Sequence, residues 1–364
     1  MNHIKISVCM TTRNRGAFIG ATLDSIICQA TDEVEIVVVD GASTDNTDAV
    51  LQLYQQRFPR LRYFRQDANQ GIDRDFATAV ELAHGEYCWL FCDDDLFRPG
   101  AIQVVLDAIK SDYALVIANS EVRNADLSRL LEPKRLPFKK NRLYKPNEIA
   151  LLLTDTAAYL SFIGCVIIKR QVWAMREKEK YFGSYFAHIG IIFQQPLPGD
   201  ALAIAEPLVS IRYANASWLS KSFDIFMFKW PDLVWSFAEI SDSAKYRVCP
   251  KEPWRDLRTL LHLRAKGIYT KNEYAKSLKP RLSSFWARVA SKAIAFFPGR
   301  VANLLAFTYY SIFHRVSSRL LILLDLANSP YCFWKLPIKR HTPSKTGSSD
   351  VGQIAASIQH FGQD

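Results

Sequence analysis

The stretch that decides the fold is Tyr87-Cys88-Trp89-Leu90-Phe91-Cys92-Asp93-Asp94-Asp95. Its apolar, aromatic run predicts a buried β-strand that ends where the aspartates begin. Three consecutive carboxylates repel one another, and the end of a strand does not need them in order to fold. A divalent cation offsets this repulsion, since Mg²⁺ and Mn²⁺ bind carboxylate oxygens together with the phosphates of a substrate. The alternative is a solvated acidic turn that caps the next helix.

Short apolar runs and helical patterns alternate around this stretch. The other predicted strands are residues 4–10, 34–39, 61–64 and 113–119, and helical patterns separate them at residues 17–29, after Thr44, at 73–84 and at 100–110. This alternation predicts an α/β fold with a mostly parallel sheet built from βαβ units. Polar residues follow the carboxyl ends of the strands, which is the edge where open α/β sheets bind ligands.

Two of these polar segments stand out beside the acidic cluster. The first, Asp40-Gly41-Ala42-Ser43-Thr44-Asp45, offers a carboxylate that can accept hydrogen bonds from a base or ribose, or else simply caps the next helix. The second is Asn69-Gln70-Gly71-Ile72-Asp73-Arg74. In it, Gly71 permits a tight turn, and Arg74 can reach a phosphate from the first turn of a helix.

Charge is distributed unevenly along the 364 residues, a length that suggests two domains or one domain with a large extension. The formal net charge is +10, but residues 1–244 hold 26 basic and 30 acidic side chains, whereas residues 245–345 hold 20 basic and 4 acidic. A basic region of this kind indicates a polyanionic partner: nucleic acid, anionic lipid or a phosphate-bearing substrate. The composition excludes a wholly disordered, collagen-like or disulfide-scaffold protein.

Seven cysteines are present, with no C-x-x-C pair. Several lie inside apolar runs, where a free thiol behaves as a small hydrophobic side chain. This pattern fits a reducing cytoplasmic setting better than a secreted one. The first residues show no basic segment followed by an apolar stretch, so we expect no signal peptide.

Two apolar segments near the C-terminus have features of membrane-binding helices. In residues 285–297, Arg288 and Lys292 share one helical face, and residues 301–324 are long enough to span a bilayer. Arg315 and Arg319 in the second half of that span would each cost about 2.5–3.5 kcal/mol at the bilayer centre. A helix lying in the membrane interface and an ordinary core-packing helix are therefore the two alternatives that stay open.

Taken together and in this order, the N-terminal segments resemble glycosyltransferase family 2, the inverting enzymes with a GT-A fold. The resemblance runs from Ile6 to about Pro99 and continues less clearly to about Tyr213. It is carried by Ser7-Val8-Cys9-Met10-Thr11-Thr12-Arg13-Asn14, Val39-Asp40-Gly41-Ala42-Ser43-Thr44-Asp45-Asn46-Thr47, Asn69-Gln70-Gly71, and Gly85-Glu86-Tyr87 leading into the aspartates. Residues 71–76 and 85–91 also resemble bacterial O-antigen enzymes of the abequosyltransferase type.

The resemblance implies an α/β GT-A domain over residues 1–214, with a nucleotide-binding half (1–120) and an acceptor half (121–214). It implies nucleotide-sugar contacts from eight residues: Thr11, Asn14, Asp40, Asn69, Gly71, Arg74, Asp93 and Asp94. It also implies a Mn²⁺ or Mg²⁺ ion held by Asp93 and Asp95. Residues 215–340 would form a helical, basic, membrane-associating region, and residues 341–364 a disordered tail.

The sequence departs from the family pattern at the catalytic base. Family members usually supply an Asp from a Glu-Asp pair before a helix of the second half, and no such pair occurs between residues 150 and 213. His188, in Tyr185-Phe186-Ala187-His188-Ile189-Gly190, stands at the corresponding place. A neutral imidazole can take a hydroxyl proton near pH 7. Asp200 and Glu206 are the alternative bases, and a core histidine is the alternative role for His188.

The expected function is therefore an inverting transfer of a sugar from a nucleotide donor to a hydroxyl of a glycan acceptor. A polyprenyl-diphosphate-linked acceptor, in O-antigen or surface polysaccharide synthesis, would place the protein on the cytoplasmic face of the inner membrane. Two alternatives remain: a non-catalytic sugar-nucleotide sensor, and a nucleic-acid-binding protein. No zinc finger, RNA-binding sheet signature or helix-turn-helix accompanies the basic region, so we expect no nucleic-acid partner.

Overall fold

A computed structural model describes residues 3–213, 221–313 and 319–333. The described residues form one sheet of ten strands. The strands are β1 (Ile6–Thr12), β2 (Val34–Asp40), β3 (Leu61–Arg65), β4 (Tyr87–Phe91), β5 (Leu96–Phe97), β6 (Leu115–Arg123), β7 (Leu130–Glu132), β8 (Arg142–Tyr144), β9 (Val166–Lys169) and β10 (Ala201–Arg212).

The described sheet is mixed: the predicted parallel arrangement is present in β3-β2-β1-β4 and between β6 and β10, and the other five pairs are antiparallel. Its central order is β3-β2-β1-β4-β9-β6-β10-β5, with β7 beside β6 and β8 beside β10. Antiparallel β9 lies between β4 and β6, so these two strands run in the same direction. The carboxyl ends of β1, β2, β3, β4, β6 and β10 therefore share one edge of the sheet.

The helices cover both faces of the sheet and then continue into the basic region. Those before residue 200 are α1 (Ile19–Ile27), α2 (Thr47–Arg57), α3 (Ile72–Leu82), α4 (Ala101–Ile109), α5 (Ile149–Leu160), α6 (Arg170–Ala174) and α7 (Ala187–Phe193). Those after it are α8 (Ser222–Asp224), α9 (Trp230–Trp235), α10 (Asp242–Val248), α11 (Leu257–Lys266), α12 (Lys271–Glu273), α13 (Phe285–Phe296), α14 (Gly299–Ile312) and α15 (Arg319–Asn328).

Long-range contacts override the local pattern in the second half of the sheet. Residues 123–147 are basic and contain Pro133, Pro137 and Pro146, a pattern that predicts a long loop, yet they include β7 and β8, which pair antiparallel with neighbouring strands. The longest strand, β10, was missed because Glu206 and Pro207 interrupt its apolar pattern. The register of β10 against β6 shifts on both sides of Pro207, so the strand accommodates the proline where its pairing is irregular.

The basic C-terminal region packs onto the same core as the sheet. One continuous cluster of buried side chains includes Val8 of β1, Phe223 of α8, Leu260 of α11 and Leu321 of α15. The ring of Phe223 stacks on Tyr269 at 5.1 Å between centroids. Residues 221–313 and 319–333 are therefore an integral layer of the fold, and a chain shortened before residue 245 would expose part of this core.

The described parts of the segment 301–324 belong to two helices, α14 and α15. Helix α14 ends at Ile312, α15 begins at Arg319, and residues 314–318, which include Arg315, lie outside the described residues. Within the described ranges, no helix combines the length and apolar character needed to cross a bilayer. The tail expected at residues 341–364 also lies outside the described residues.

Candidate active site

The register of the sheet gathers the three polar segments at one edge. Thr12 pairs with Asp40 across β1 and β2, and Met10 pairs with Phe91 across β1 and β4. The loops that follow these strands therefore lie side by side, as expected for the ligand-binding edge of an open α/β sheet.

The acidic cluster after β4 is a buried ion-paired group. Asp93, Asp94 and Asp95 are between 2% and 6% exposed, which excludes a solvated acidic turn. The guanidinium of Arg15, itself 4% exposed, donates to Asp94 Oδ2 at 3.0 Å. Its Nε lies 3.4 Å from Asp93 Oδ1. One buried cation from the loop after β1 thus partners two of the three carboxylates.

Arg212 closes the cluster from the end of β10. Its backbone N–H donates to Asp95 Oδ1 at 2.8 Å, and its Nε–H donates to the backbone oxygen of Asp94 at 2.9 Å. Sequence analysis missed both Arg15 and Arg212. A signal existed only for Arg15, which follows the quoted Thr11–Asn14 segment directly, because the position of Arg212 depends on the strand that was not predicted.

Despite these contacts, burial raises the pKa values of the Asp93 and Asp95 carboxyls. Burial raises the pKa of Asp93 to about 6, against the lowering effect of Arg15, and the charge of Asp94 adds to the rise. Burial, with Asp94 again contributing, raises the pKa of Asp95 well above its usual range. A further cation at this edge would favour the ionised form of both groups.

These residues fit a divalent cation that is shared with a substrate phosphate. In the described ranges, no three His, Cys, Asp or Glu side chains are grouped to hold a metal ion by themselves. Mg²⁺ is commonly bound through one or two carboxylates plus the phosphates of a substrate, which is the number of ligands that Asp93 and Asp95 can supply.

The segment after β2 organises the site and also caps a helix. Asp40 is fully buried, and its Oδ1 accepts hydrogen bonds from the backbone and hydroxyl of Ser43 at 2.8 and 2.6 Å. Its Oδ2 accepts from the Tyr63 hydroxyl at 3.0 Å. Asp45 Oδ1 accepts from the backbone N–H of Thr47, at the first turn of α2. Thr44, expected as a possible cap, instead contacts the loop after β1.

Asn14 joins the first two loops of the site. It has a φ of +57°, and its Oδ1 accepts from the backbone N–H of Thr44 at 2.7 Å. Its own backbone N–H donates to the Ser43 hydroxyl at 2.8 Å. Thr11, at the end of β1, lies beside these contacts and is almost fully buried.

The third segment has the tight turn that its glycine predicts. Gly71 adopts a φ of +93°, and its backbone N–H donates to Asn69 Oδ1 at 3.0 Å. Arg74 follows on the first turn of α3, where its exposed guanidinium lies 4.7 Å from the ring centre of Phe182. The arginine is therefore available to an anion at the mouth of the site.

Asp73 of α3 makes hydrogen bonds to the loop that precedes α7. Its buried carboxylate accepts three backbone N–H groups, from Gly183 at 2.8 Å, Tyr185 at 2.9 Å and Ala187 at 3.2 Å. Sequence analysis quoted Asp73 but gave it no role. Its role depends on a segment more than 100 residues away, which no local pattern reveals.

His188 lies on α7 within one turn of this junction. Its ring is 2% exposed, and its Nε2 lies 2.8 Å from the backbone oxygen of Leu160, which can only accept. Nε2 therefore carries the proton, and Nδ1 keeps the lone pair. Burial lowers the pKa of His188 to about 4, so the ring is neutral at pH 7, as a base requires, and it is buried, as a core histidine would be.

The two alternative bases are wrong on geometry. Asp200 precedes β10 at the amino edge of the sheet, opposite the acidic cluster, and its carboxylate pairs with Lys145 at 2.6 Å. Glu206 lies in the middle of β10, points to solvent and pairs with Lys134 at 2.5 Å.

The fold is that of the GT-A glycosyltransferases. The structure resembles that of residues 1–349 of TarS from S. aureus, with a TM-score of 0.54 and 14% identity, over 88% of this chain and 91% of that one. The structure of the same protein in complex with UDP-GlcNAc matches with a TM-score of 0.50 over the same shares.

Sequence comparison gives a family match over part of the chain. Residues 7–167 match the description "Glycosyl transferase family 2". It is 29% identical to the abequosyltransferase RfbV of Salmonella typhimurium, over 59% of this chain and 69% of that protein. It is 31% identical to the GalNAc(5)-diNAcBac-PP-undecaprenol beta-1,3-glucosyltransferase of Campylobacter jejuni, over 50% of this chain and 57% of that enzyme.

Proposed function

We propose that this protein transfers a sugar, with inversion, from a nucleotide-sugar donor to a hydroxyl of a lipid-linked glycan in bacterial surface polysaccharide synthesis. The observation that carries the proposal is the convergence, at one sheet edge, of the buried Asp93–Asp95 cluster with the loops after β1, β2 and β3. Two names support it: one relative acts on an undecaprenol-linked glycan, and the structural neighbour binds UDP-GlcNAc.

The donor would lie across the carboxyl ends of β1, β2 and β4. Thr11, Asn14, Asp40, Asn69 and Gly71 line the nucleotide end, and Arg74 would contact the diphosphate. Asp93 and Asp95 would hold a Mn²⁺ or Mg²⁺ ion, and Asp94 would contact the donor beside them. When bound, that ion would stabilise the negative charge that develops on the leaving diphosphate.

The acceptor would enter on the side of α7. We propose that the neutral His188 takes the proton of the attacking hydroxyl through Nδ1, while Nε2 keeps its hydrogen bond to Leu160. The hydroxyl oxygen then attacks the anomeric carbon opposite the bond to the diphosphate, which breaks in the same step. An abequosyl donor and a location on the cytoplasmic face of the inner membrane are the most specific forms of this proposal.

The test is a screen of nucleotide sugars for release of free nucleotide in the presence of a polyprenyl-diphosphate glycan. We expect one donor to be turned over by the wild type in the presence of Mn²⁺ or Mg²⁺, and not by Asp95→Asn. The matched control is Asp200→Asn, which removes an equally charged side chain at the opposite edge of the sheet and should keep its rate. A protein that binds a sugar nucleotide but turns over none would be a sensor instead.

A further inference from the structure

Helices α13 and α14 expose apolar side chains to solvent. Seven side chains on these helices or directly after α14 are between 51% and 75% exposed: Phe285, Trp286, Phe296, Leu305, Tyr309, Ile312 and Phe313. We refer to these seven residues and the exposed sides of the two helices as the α13–α14 face. A surface helix normally turns its polar side to water and its apolar side to the core, so the face reverses the usual arrangement.

The opposite sides of both helices are held by the fold. Ser291 and Ala295 of α13 and Asn303 of α14 are buried. Asn303 Nδ2 donates to the backbone oxygens of Ala265 and Leu326 at 3.1 and 2.8 Å. Both helices pack on α11 through these sides and turn the α13–α14 face away from it. The exposure is therefore a consequence of specific packing.

The charge around the face is of one sign. Residues 274–324 contain eight Lys and Arg and no Asp or Glu. In the described part of this segment, six cations are exposed: Lys276, Lys279, Arg281, Arg288, Lys292 and Arg300. On α13 the cations share the exposed side with the aromatic rings, and the Lys292 ammonium lies 5.7 Å from the ring centre of Phe296.

We propose that the α13–α14 face docks on an anionic lipid bilayer. Aromatic and aliphatic side chains that lie among cations match the interface of such a bilayer, where rings sit at headgroup depth and Lys and Arg contact lipid phosphates. A second copy of this chain is a poor occupant, because it would bring two cationic surfaces together. The proposal deepens the proposed function by naming how the enzyme meets a lipid-linked acceptor.

The test is co-sedimentation of the full chain with vesicles, without any sugar donor. We expect binding to phosphatidylglycerol and cardiolipin vesicles, much weaker binding to phosphatidylcholine vesicles, and weakening in high salt. The double variants Trp286→Ser/Phe313→Ser and Lys276→Glu/Lys292→Glu should each lower affinity for the anionic vesicles at least tenfold, with unchanged melting temperature.

Matched controls change similar residues elsewhere. Leu53→Ser/Met175→Ser removes two apolar side chains that are 60% and 66% exposed on the N-terminal part of the chain, and Lys139→Glu/Lys140→Glu reverses two exposed cations there. Both controls should bind vesicles like the wild type.

Three results would overturn the proposal. They are no preference for anionic vesicles, equal losses in variants and controls, and a dimer of the wild type that Trp286→Ser/Phe313→Ser converts to a monomer, which would make a second copy the occupant. Because vesicle binding needs no turnover, a chain that binds vesicles but transfers no sugar contradicts only the proposed function. A chain that transfers sugar to a detergent-dispersed acceptor but ignores vesicles contradicts only this inference.

Discussion

The backbone N–H of Tyr185 donates a hydrogen bond of 2.9 Å to the Asp73 carboxylate, which links the loop before α7 to helix α3. Tyr185 has a φ of +73°, a conformation that costs a tyrosine about 1–3 kcal/mol and persists only where neighbours hold it. Asp73 helps to hold Tyr185 in this conformation, since its carboxylate accepts two further N–H groups of the same loop.

We expect Asp73→Ala to lower the free energy of unfolding by about 2–4 kcal/mol, because hydrogen bonds to a charged group are worth about 1.5–3 kcal/mol each and burial of the carboxylate opposes them. Asp73→Asn, which keeps one acceptor oxygen, should lose less stability. In both variants the KM for the acceptor should rise more than the affinity for the nucleotide falls. An equal loss on both substrates would show that Asp73 does not act through the loop. Asp107→Asn, which changes an exposed carboxylate of α4, is the control.

The Arg15–Asp94 pair should give a large coupling energy in a double-mutant cycle. Arg15→Met leaves two buried carboxylates without their cation, which costs about 3–5 kcal/mol of stability. Adding Asp94→Asn should recover part of this loss, as measured by chemical denaturation. The exposed pair Arg57–Asp24, at 3.6 Å, is the comparison and should couple by less than about 1 kcal/mol. Similar coupling in both pairs would contradict a structural role for Arg15.

Asp95→Asn should separate activity from stability. Because the folded-state pKa of Asp95 lies well above its unfolded value, the folded state of the wild type loses stability as pH rises from the unfolded pKa towards the folded one. The neutral amide lacks this term, so the variant should melt at the same or a higher temperature at pH 7.5 while transferring no sugar. A clearly lower melting temperature would show that the carboxylate is needed for folding.

Metal dependence has its own measurement. We expect the wild type to lose turnover in excess EDTA and to regain it on addition of Mn²⁺ or Mg²⁺, because Asp93 and Asp95 are short of positive charge. Asp93→Asn should need more metal for half-maximal rate. Full activity of the wild type in excess EDTA would contradict a metal at this cluster.

His188→Gln should distinguish a base from a core histidine. The Gln amide can still donate to the Leu160 oxygen, so we expect the melting temperature and nucleotide affinity to change little. Turnover should fall by about 10²–10⁴, which is the usual contribution of general acid–base catalysis. Turnover within a few-fold of wild type would exclude His188 as the base.

The pH dependence of this residue follows from its pKa of about 4 in the folded state. Between the unfolded value near 6.5 and 4, the unfolded chain binds a proton that the folded chain does not, so wild-type stability falls relative to His188→Gln as pH drops through this window. The ring stays neutral above pH 6, so its titration should not raise the rate between pH 6 and 8. A rate that rises with a midpoint near 6.5 would indicate an exposed imidazole.

The nucleotide-binding half of the fold was predictable because its strands are short apolar runs with polar residues at their carboxyl ends. All four predicted strands from Ile6 to Phe91 form, and their site residues meet at one edge. The φ of Gly71 agrees with the turn that its position implied. In these elements, local pattern and tertiary contact favour the same structure.

The contacts that complete the site were not predictable, because each depends on register between distant segments. Arg212 reaches Asp95 only through the pairing of β10, and Asp73 reaches the loop before α7 across 110 residues. The orientation of His188 towards α5 likewise follows from helix packing, which the residues next to it in the sequence do not reveal.

The pairing of β5 with β10 has a consequence for how the protein is made. Phe97 pairs with Val209, and the N–H of Arg212 is the partner of Asp95 Oδ1. On the ribosome, the chain that emerges first carries Asp93, Asp94 and Arg15, yet the strand that seats Asp95 does not exist until residue 212 has been synthesised. Such non-local pairing forms slowly because the entropy cost of closing a long loop precedes any stabilising contact. In the nascent chain, the Asp93–Asp95 segment therefore lacks its contact with Arg212 until β10 has been synthesised and has paired.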